Sequence, residues 1–461
     1  MKTNSPPLYV PPRPAPLPAL ASLARTVWRG DGDLLSLLPA EAYRMKAGEL
    51  GYSRRSIKLF NDPALVREAM FDADGMFPKS DLMVGALEPL IGDSIFVSDG
   101  EKWRRQRAMI DPAFSLMRLN LAFDQMAAAV DDYEARLDAV AASGEAISLD
   151  LAMSHLTADI ICRTVFSVSL ESAVARDVFD DFAVFERGVA QVRIWRLIVD
   201  PAWTEVRQEP EVLAACERIR GHLGALVDTH LEAPGCYDDI ASAVIAARDA
   251  DTGAAFTREE LIDQLGVFFL AGHETTASAL IWAIFMLTAD DRSLARLREE
   301  IASVVGEGEV SFDAVKKTPF ARAVFREALR LYPPITFMPR VALRDGEVGG
   351  RKVRKGALIM ISPWTTHRHK EYWPDPDAFD PDRFLSPREA EIPTGAYIPF
   401  GLGPHTCIGA GFAAVESALI LTRLMRRYDF EVLDRASVRP AARLTTRPAE
   451  QVMVRVNRHC A

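Results

Sequence analysis

Apolar residues recur every three or four positions along most of this chain, which is the spacing of helices that bury one face. The pattern predicts helices at residues 101–110, 120–142, 149–166, 173–198, 210–231, 320–331 and 410–427. Short apolar runs bounded by turn-forming residues predict strands at residues 56–60, 339–343, 353–361, 430–433 and 451–457. The chain is therefore predicted to be mainly α with a smaller β part, in the α+β class.

The longest predicted helix begins at a capping box, residues 257–260, and continues to about residue 290. Its apolar residues cover nearly every side, so we expect a buried helix about 50 Å long. In its middle, residues 271–276 read Ala-Gly-His-Glu-Thr-Thr. Such residues destabilise a buried helix, and a local opening of its hydrogen bonds, filled by water or a hydroxyl group, would accommodate them.

The domain organisation is predicted to be simple. Residues 6–18 contain seven prolines, which favours an extended leader over residues 1–18. Residues 19–461 show no linker or repeat and are predicted to form one domain, with small sheet regions near 50–60, 339–361 and 430–457. The apolar stretch 77–98 is predicted to be an irregular binding lid. The apolar stretch 189–203 fits either a roof over a site or ordinary core packing.

Composition limits the classes of partner. The chain has 461 residues and a net charge of −10, from 54 basic and 64 acidic residues. A nucleic-acid-binding protein would normally be basic, so we expect no nucleic acid partner. Five cysteines at irregular spacing favour a reducing compartment. We see neither a signal peptide nor an apolar run of about 18 residues, and therefore predict a cytoplasmic protein without a transmembrane anchor.

A second unusual stretch, residues 400–409, reads Phe-Gly-Leu-Gly-Pro-His-Thr-Cys-Ile-Gly and precedes a predicted helix. Cys407 should lie at that helix N-terminus, where backbone N–H groups favour an anion and lower the pKa of a thiol. Phe400 can shield the sulfur, and the glycines let the backbone pass close to a flat group. A buried structural cysteine is the ordinary alternative. Zinc would need four ligands, whereas His405 and Cys407 provide two.

The pattern Phe-x-x-Gly-x-His-x-Cys-x-Gly resembles the haem-binding loop of the cytochrome P450 family, with His405 where arginine is more usual. This resemblance implies the P450 fold, in which haem b lies between a long central helix and the cysteine loop with its following helix. Cys407 would be the axial ligand of the haem iron, and Phe400, His405 and Gly409 would surround the cofactor.

Residues 271–276 resemble the oxygen-binding groove of the same family. The resemblance implies that Gly272 lies against the haem, that Thr275 binds dioxygen and that Glu274 helps to relay protons. Further motifs extend the likeness from about residue 100 to residue 410. They imply that Trp103, Arg107 and Arg340 bind the haem propionates, and that a buried structural network joins Glu327, Arg330 and Arg383.

The resemblance predicts a haem-thiolate monooxygenase that inserts one oxygen atom of O2 into a hydrophobic organic substrate, by hydroxylation or epoxidation. A peroxygenase or isomerase that does not use O2 and a non-enzymatic haem sensor are the alternatives. The predicted substrate pocket contains Leu87, Phe268, Phe269, Phe337 and Met338.

Electrons from NAD(P)H would reach this protein only through a separate ferredoxin or flavodoxin with its reductase, because we recognise no fused reductase. We expect a monomer that docks this partner on a basic patch. Ordinary solvated arginines are the alternative interpretation of that patch. Its predicted members are Arg104, Arg105, Arg423, Arg426 and Arg427.

Overall fold

The computed structural model describes residues 7–29, 33–49, 55–189 and 206–459. Its helices, in chain order, are α1 (Ala19–Arg29), α2 (Pro63–Phe71), α3 (Asp81–Ile91), α4 (Gly100–Ile110), α5 (Leu116–Ser143), α6 (Leu149–Phe166), α7 (Ala173–Val189), α8 (Pro210–Glu232), α9 (Ile240–Ala246), α10 (Arg258–Leu287), α11 (Asp291–Val304), α12 (Phe312–Lys316), α13 (Pro319–Leu331), α14 (Pro363–Thr366) and α15 (Ala410–Arg427). The strands are β1 (Ala47–Glu49), β2 (Ile57–Phe60), β3 (Ala146–Ser148), β4 (Met338–Val341), β5 (Gly346–Val348), β6 (Arg351–Val353), β7 (Leu358–Ile361), β8 (Tyr428–Val432), β9 (Pro440–Ala442), β10 (Thr446–Pro448) and β11 (Met453–Arg458).

The central helix α10 forms the axis of the core. Its capping box is present: Thr257 accepts from the backbone of Glu260, and the Glu260 carboxylate accepts from the backbone of Thr257. Almost every residue after the first turn is buried, against α3, α6, α8, α13 and α15. By length and composition this helix could cross a membrane, but 83% of its most apolar part is buried inside the protein.

The sheets bring distant parts of the chain to one side of the core. The largest has the strand order β1-β2-β7-β4, in which β2 runs parallel to β7 and the other pairs are antiparallel. A backbone bridge joins Lys79 to Arg340 on β4. Strands β3, β11 and β8 form a second sheet, and β9–β10 and β5–β6 form hairpins. The mainly α architecture with a smaller β part is confirmed.

Two sequence predictions of local structure are wrong. Residues 77–98 are not wholly irregular, because α3 occupies Asp81–Ile91. Gly85 and Pro89 resemble helix breakers, but the proline lies late in the helix and Gly85 allows close packing: a Cβ there would lie 3.2 Å from Val206. The predicted strand 353–361 is two strands, β6 and β7, separated by a turn in which Gly356 has φ +79°.

The described part of the proline-rich leader lies on the body of the protein. The backbone amide of Phe379 donates to the carbonyl of Tyr9 at 2.8 Å, and the hydroxyl of Tyr332 donates to the carbonyl of Pro12 at 2.6 Å. Arg13 forms an ion pair with Asp377 at 3.0 Å. Residues 190–203 of the apolar stretch 189–203 lie outside the described residues, and so do residues 190–198 of the predicted helix 173–198.

Candidate active site

A cavity opens between the middle of the central helix, the cysteine loop (residues 400–409) and strand β4. It contains about 1630 Å³ of space, counting its open mouth. Most of its wall is apolar, including Met83, Phe96, Phe114, Phe268, Phe337 and Met338. The charged side chains on the described wall are the bases Lys79, Arg107 and Arg340, and no acid lines it. Such a cavity suits a large, mostly apolar guest that carries anionic groups.

Cys407 lies at the bottom of this cavity. Its amide donates to the carbonyl of Phe400 at 2.8 Å, and α15 begins three residues later with Gly409 as its N-cap residue. The thiol is open to the cavity but lies away from bulk water. Burial raises the pKa of Cys407, and the Gly409 amide and Arg107 oppose that shift without overcoming it. The predicted lowering of this pKa by the helix N-terminus is therefore wrong for the free thiol, and a bound cation would supply the missing positive charge.

Two of the three basic residues at the cavity, Lys79 and Arg340, form no ion pair with a described residue, whereas Arg107 pairs with Asp111. Arg340 is 7% exposed and has no ion pair with a described residue. The ammonium of Lys79 donates only to the carbonyls of Ile95 and Ser98, at 3.0 and 2.6 Å. Burial lowers the pKa of Arg340 and lowers that of Lys79 to about 7. Asp99, whose carboxylate accepts from the backbone amide of Lys79 at 2.8 Å, offsets these charges only in part. Buried cations without an ion pair of their own are unfavourable, so the site fits a guest with carboxylates, as haem has in its two propionates.

His405 stays neutral among these cations. Burial, together with Lys79, Arg340 and Arg107, lowers the pKa of His405 to about 3. Its ring lies 3.9 Å from that of Trp103, and its Nδ1 is buried without a partner among the described residues. The ring can therefore donate or accept one hydrogen bond toward a guest in the cavity.

Arg107 ties α4 to the cysteine loop. Its Nη1 donates to the carbonyl of Thr406 at 2.7 Å, while its Nε donates to Asp111 at 2.6 Å. The predicted contacts Trp103, Arg107 and Arg340 thus lie around one cavity with Lys79, which sequence reasoning missed. The signal for Lys79 in the sequence was that a lysine occurs within an apolar stretch. Its position at the cavity follows only from its backbone pairing with Arg340, 261 residues later.

The central helix presents Gly272 and Thr275 to the cavity. The hydroxyl of Thr275 donates to the carbonyl of Ala271 at 2.8 Å, and Thr157 of α6 donates to the carbonyl of His273 at 3.0 Å. The helix continues without a break through this segment, so the predicted local opening is wrong. Hydroxyl groups satisfy the carbonyls here while the helix remains regular.

Glu274 points away from the cavity, toward α6, α7 and β10. Arg447 donates from Nε to its carboxylate at 2.7 Å and makes a second contact through Nη2, and Thr445 donates at 2.6 Å. Burial would raise the pKa of Glu274, but Arg447, aided by the charge of His273, holds the pKa below its usual value. The predicted proton-relay acid is therefore ionised and clamped. Sequence reasoning missed Arg447, which lies 173 residues further along the chain.

The predicted buried network is present in the described structure. Arg330 binds both carboxylate oxygens of Glu327 at 2.7 Å, and both side chains are fully buried. Arg383 lies 3.5 Å from Glu327 and donates to the carbonyl of Asp375. His367 is fully buried beside this network: its backbone carbonyl accepts from Arg330, and its Nε2 accepts from the amide of residue 398, which leads into the cysteine loop.

The predicted substrate pocket is partly wrong. Phe268, Phe337 and Met338 line the cavity, but Leu87 and Phe269 do not. Phe269 follows Phe268 directly and therefore points to a different side of the helix. Its ring packs on the rings of Phe182 and His273, with centroid distances of 5.8 and 4.8 Å. Leu87 is buried in the hydrophobic core on α3.

The predicted basic patch is also wrong, because most of its charges are neutralised. Arg423 and Arg427 bind carboxylates of α5, chiefly Glu134. Arg105 pairs with Glu260 at 2.7 Å, at the start of the central helix. Arg426 donates to backbone carbonyls, and Arg104 is exposed. The arginines therefore do not form one free positive surface.

No group of three or more His, Cys, Asp or Glu side chains in the described part of the chain could hold a metal ion by itself. A zinc site built from side chains is therefore absent from those residues. A single cysteine facing a large cavity instead matches a metal that arrives within a cofactor.

Comparison with known proteins agrees with this geometry. The family model of cytochrome P450 matches residues 49–455. Cyclooctatin synthase of Streptomyces melanosporofaciens is 29% identical over 94% of this chain and 92% of its own length, and cyclooctat-9-en-7-ol 5-monooxygenase of the same organism is 30% identical over 87% and 85%. The crystal structure of the cytochrome P450DA heme domain superposes with a TM-score of 0.82 at 24% identity, covering 98% of each chain. The chain belongs to the cytochrome P450 family and is a haem-dependent monooxygenase.

Proposed function

We propose that this enzyme inserts one oxygen atom of O2 into a hydrophobic substrate, by hydroxylation or epoxidation. One observation carries the proposal: the thiol of Cys407 and the hydroxyl of Thr275 line the same apolar cavity, whose charged lining groups in the described structure are all basic. Haem b, once bound, would supply the chemistry of oxygen activation, aided by electron donation from a cysteine thiolate.

Residues of the chain would bind the cofactor, shield it from water and supply a hydroxyl group. Cys407 would ligate the haem iron, and Lys79, Arg107 and Arg340 would hold the propionates. Phe400, which lines the same cavity, would shield the sulfur from water. Thr275 presents a hydroxyl group to the cavity, where it can hold a proton at the reacting oxygen.

The proposed substrate is a largely hydrocarbon molecule. Phe114, Phe268 and Phe337 supply the aromatic part of the wall, and the absence of acids on the described wall gives a cationic amine no partner. One relative is, by its name, a 5-monooxygenase of cyclooctat-9-en-7-ol. We propose an unsaturated or saturated hydrophobic molecule of comparable character for this chain.

Electrons would come from NAD(P)H through a separate ferredoxin or flavodoxin with its reductase, and the protein would act as a cytoplasmic monomer. Because the five arginines named above do not form a free patch, this partner would have to recognise another surface.

The test is the absorption spectrum of the dithionite-reduced protein under carbon monoxide. We expect a strongly red-shifted Soret band in the wild type and in the control Cys236→Ser, whose cysteine is exposed and far in sequence from the loop. Cys407→His should lose this band. A wild-type band typical of histidine-ligated haem would refute thiolate ligation.

Oxygen use is tested separately with ¹⁸O2, the reductase system and a panel of hydrophobic compounds. Incorporation of one labelled atom into product supports the proposal. Product formation that requires peroxide and proceeds without O2 would show a peroxygenase instead.

A further inference from the structure

One histidine bridges the end of α13 and the segment that leads into the cysteine loop. His367 follows α14 directly, and its side chain is fully buried. Its Nε2 accepts from the backbone amide of Ile398 at 2.8 Å, and its Nδ1 donates to the backbone carbonyl of Arg330 at 3.2 Å. The ring therefore joins two backbone segments that lie 37 residues before it and 31 residues after it.

The two partners determine where the ring carries its proton. An amide N–H only donates, so Nε2 must hold a lone pair, and a carbonyl oxygen only accepts, so Nδ1 must hold the proton. A doubly protonated ring would place a second N–H against the amide of Ile398. Burial, together with the charges of Arg330 and Arg368, holds the pKa of His367 well below its usual value. The ring is therefore neutral, in one tautomer, with its donor and its acceptor both in use.

The orientation of the ring is held from two further sides. Arg330 donates from Nη1 to the backbone carbonyl of His367 at 2.9 Å, so the two residues bind each other in both directions. The ring stacks on that of Tyr397, with a centroid distance of 5.3 Å. Arg330 is itself fixed by both carboxylate oxygens of Glu327. The position of the ring is thus set by the buried network and not by solvent.

The amide that binds His367 begins a short series of backbone hydrogen bonds. The carbonyl of Ile398 accepts from the amide of Gly401 at 3.1 Å, and the carbonyl of Phe400 accepts from the amide of Cys407 at 2.8 Å. Phe400 and Cys407 both line the cavity. A shift of Ile398 would therefore move the residues that hold Cys407 in the loop.

Water cannot replace this bridge. Ile398 and Arg330 are both buried, and the carbonyl of Arg330 lies in the last turn of α13, where no later amide of the helix can reach it. A buried amide or carbonyl that loses its only partner carries the full cost of its desolvation. Without the ring, the backbone around Ile398 would have to move to find a new partner.

We propose that His367 is the positioning residue for the cysteine ligand: its neutral ring fixes Ile398 and, through it, the loop that presents Cys407 to the haem iron. This role rests on the proposed function, because it takes Cys407 as the ligand of the iron. The Glu327–Arg330 pair stabilises the fold, whereas His367 connects that pair to the loop.

The first test needs no turnover and uses the haem-loaded protein, reduced and under carbon monoxide. With ¹⁵N-labelled histidine, NMR should show a neutral ring protonated at Nδ1 whose signal is absent from His367→Gln. Hydrogen exchange of the amides of residues 398–407 should be about tenfold faster in His367→Leu than in the wild type. A ring protonated at Nε2, or unchanged exchange in this segment, would overturn the proposal. The NMR result decides the matter even if His367→Leu does not fold.

The second test follows the red-shifted Soret band of the same samples with time. We expect His367→Leu to lose this band about tenfold faster than the wild type at the same temperature. His367→Gln keeps a donor and an acceptor and should recover part of the difference. A purely structural role would leave the band intact for as long as the protein stays folded, which circular dichroism records.

His369→Leu is the matched control. His369 is also buried, but its ring bonds the carbonyl of Arg44 and the amide of Glu371, away from the cysteine loop. This variant should lose the band at the wild-type rate, and an effect equal to that of His367→Leu would refute the positioning role. If the wild type itself gives the band of a histidine-ligated haem, the proposed function fails, while hydrogen exchange still decides whether His367 holds the loop.

Discussion

At the scale of single residues, the site is governed by which charges have partners. Glu274 is clamped by Arg447, whereas Lys79 and Arg340 line the cavity and form no ion pair with a residue that the structure describes. The ionised form of Glu274 is stabilised by its partner, whereas the charged forms of Lys79 and Arg340 have no ion pair to offset their burial. The free energy of binding for an anionic cofactor therefore includes the relief of a local instability that the folded protein retains.

Lys79 should make haem binding depend on pH. Burial lowers the pKa of its free side chain to about 7, so it is charged below that pH and increasingly neutral above it. A propionate favours the charged form, and binding above pH 7 must take up a proton. We expect haem affinity of the apoprotein to fall by up to about tenfold per pH unit above 7.

Equilibrium titration of the apoprotein with haem across this range measures the effect. Lys79→Met should bind haem more weakly at low pH and lose most of the pH dependence. Lys102→Met removes an exposed lysine that pairs with Asp93 and should behave like the wild type. If haem affinity depends on pH as steeply in Lys79→Met as in the wild type, another group is responsible for the pH dependence.

At the scale of elements, the close approach of the central helix to α6 depends on Gly272. A Cβ at this position would lie 2.4 Å from Cδ1 of Ile161, which itself lines the cavity. The resemblance to the oxygen groove gave Gly272 a role against the haem. The structure adds a packing role, because two helices that shape the cavity meet there.

Gly272→Ala should destabilise the protein by about 1–3 kcal/mol, the usual cost of overpacking a core. Gly266→Ala in the same helix is the control: its Cβ would lie 3.5 Å from Leu223, an ordinary contact, so alanine should be neutral or stabilising there. Denaturant unfolding measures both. Adding Ile161→Ala should restore part of the stability lost in Gly272→Ala. If it does not, the contact with Ile161 is not the cause of the destabilisation.

Comparison of the predicted and observed helices shows which local sequence patterns predict a helix correctly. Leu149–Phe166 and Ala410–Arg427 form helices at the predicted residues, because apolar periodicity is strong and each begins at a recognisable cap or loop. Helix α3 contains Gly85 and Pro89, which have low helix propensity, and the stretch was predicted to be irregular. Neighbouring elements supply the packing energy that local propensity lacks there.

At the scale of the whole molecule, the network around Glu327 links α13 to the polar segment that precedes the cysteine loop. Arg330 donates to the carbonyls of His367, Pro376 and Ala378, and Glu327 accepts from the amide of Asp380. The side chains of Glu327 and Arg330 are fully buried, so water cannot take the place of either one if it is lost.

Glu327→Gln should therefore destabilise the fold by about 3–5 kcal/mol, because Arg330 would remain buried with its charge uncompensated. Asp228→Asn breaks a half-exposed pair with Arg258 and should cost less than about 1 kcal/mol. Chemical denaturation of both haem-loaded variants compares them. Equal stability of the two variants would mean that the network is not structural.

The sequence by itself determined the family, the mainly α fold, the cysteine loop and the position of the Ala-Gly-His-Glu-Thr-Thr segment within the central helix, because each is written in contiguous residues with a fixed spacing. Only the tertiary structure decided which charges meet. Arg423 lies 289 residues from Glu134 and Arg447 lies 173 residues from Glu274. Electrostatic interaction depends on distance in space, which the order of residues does not reveal, and so the paired arginines and the place of Lys79 at the cavity emerged only from the fold.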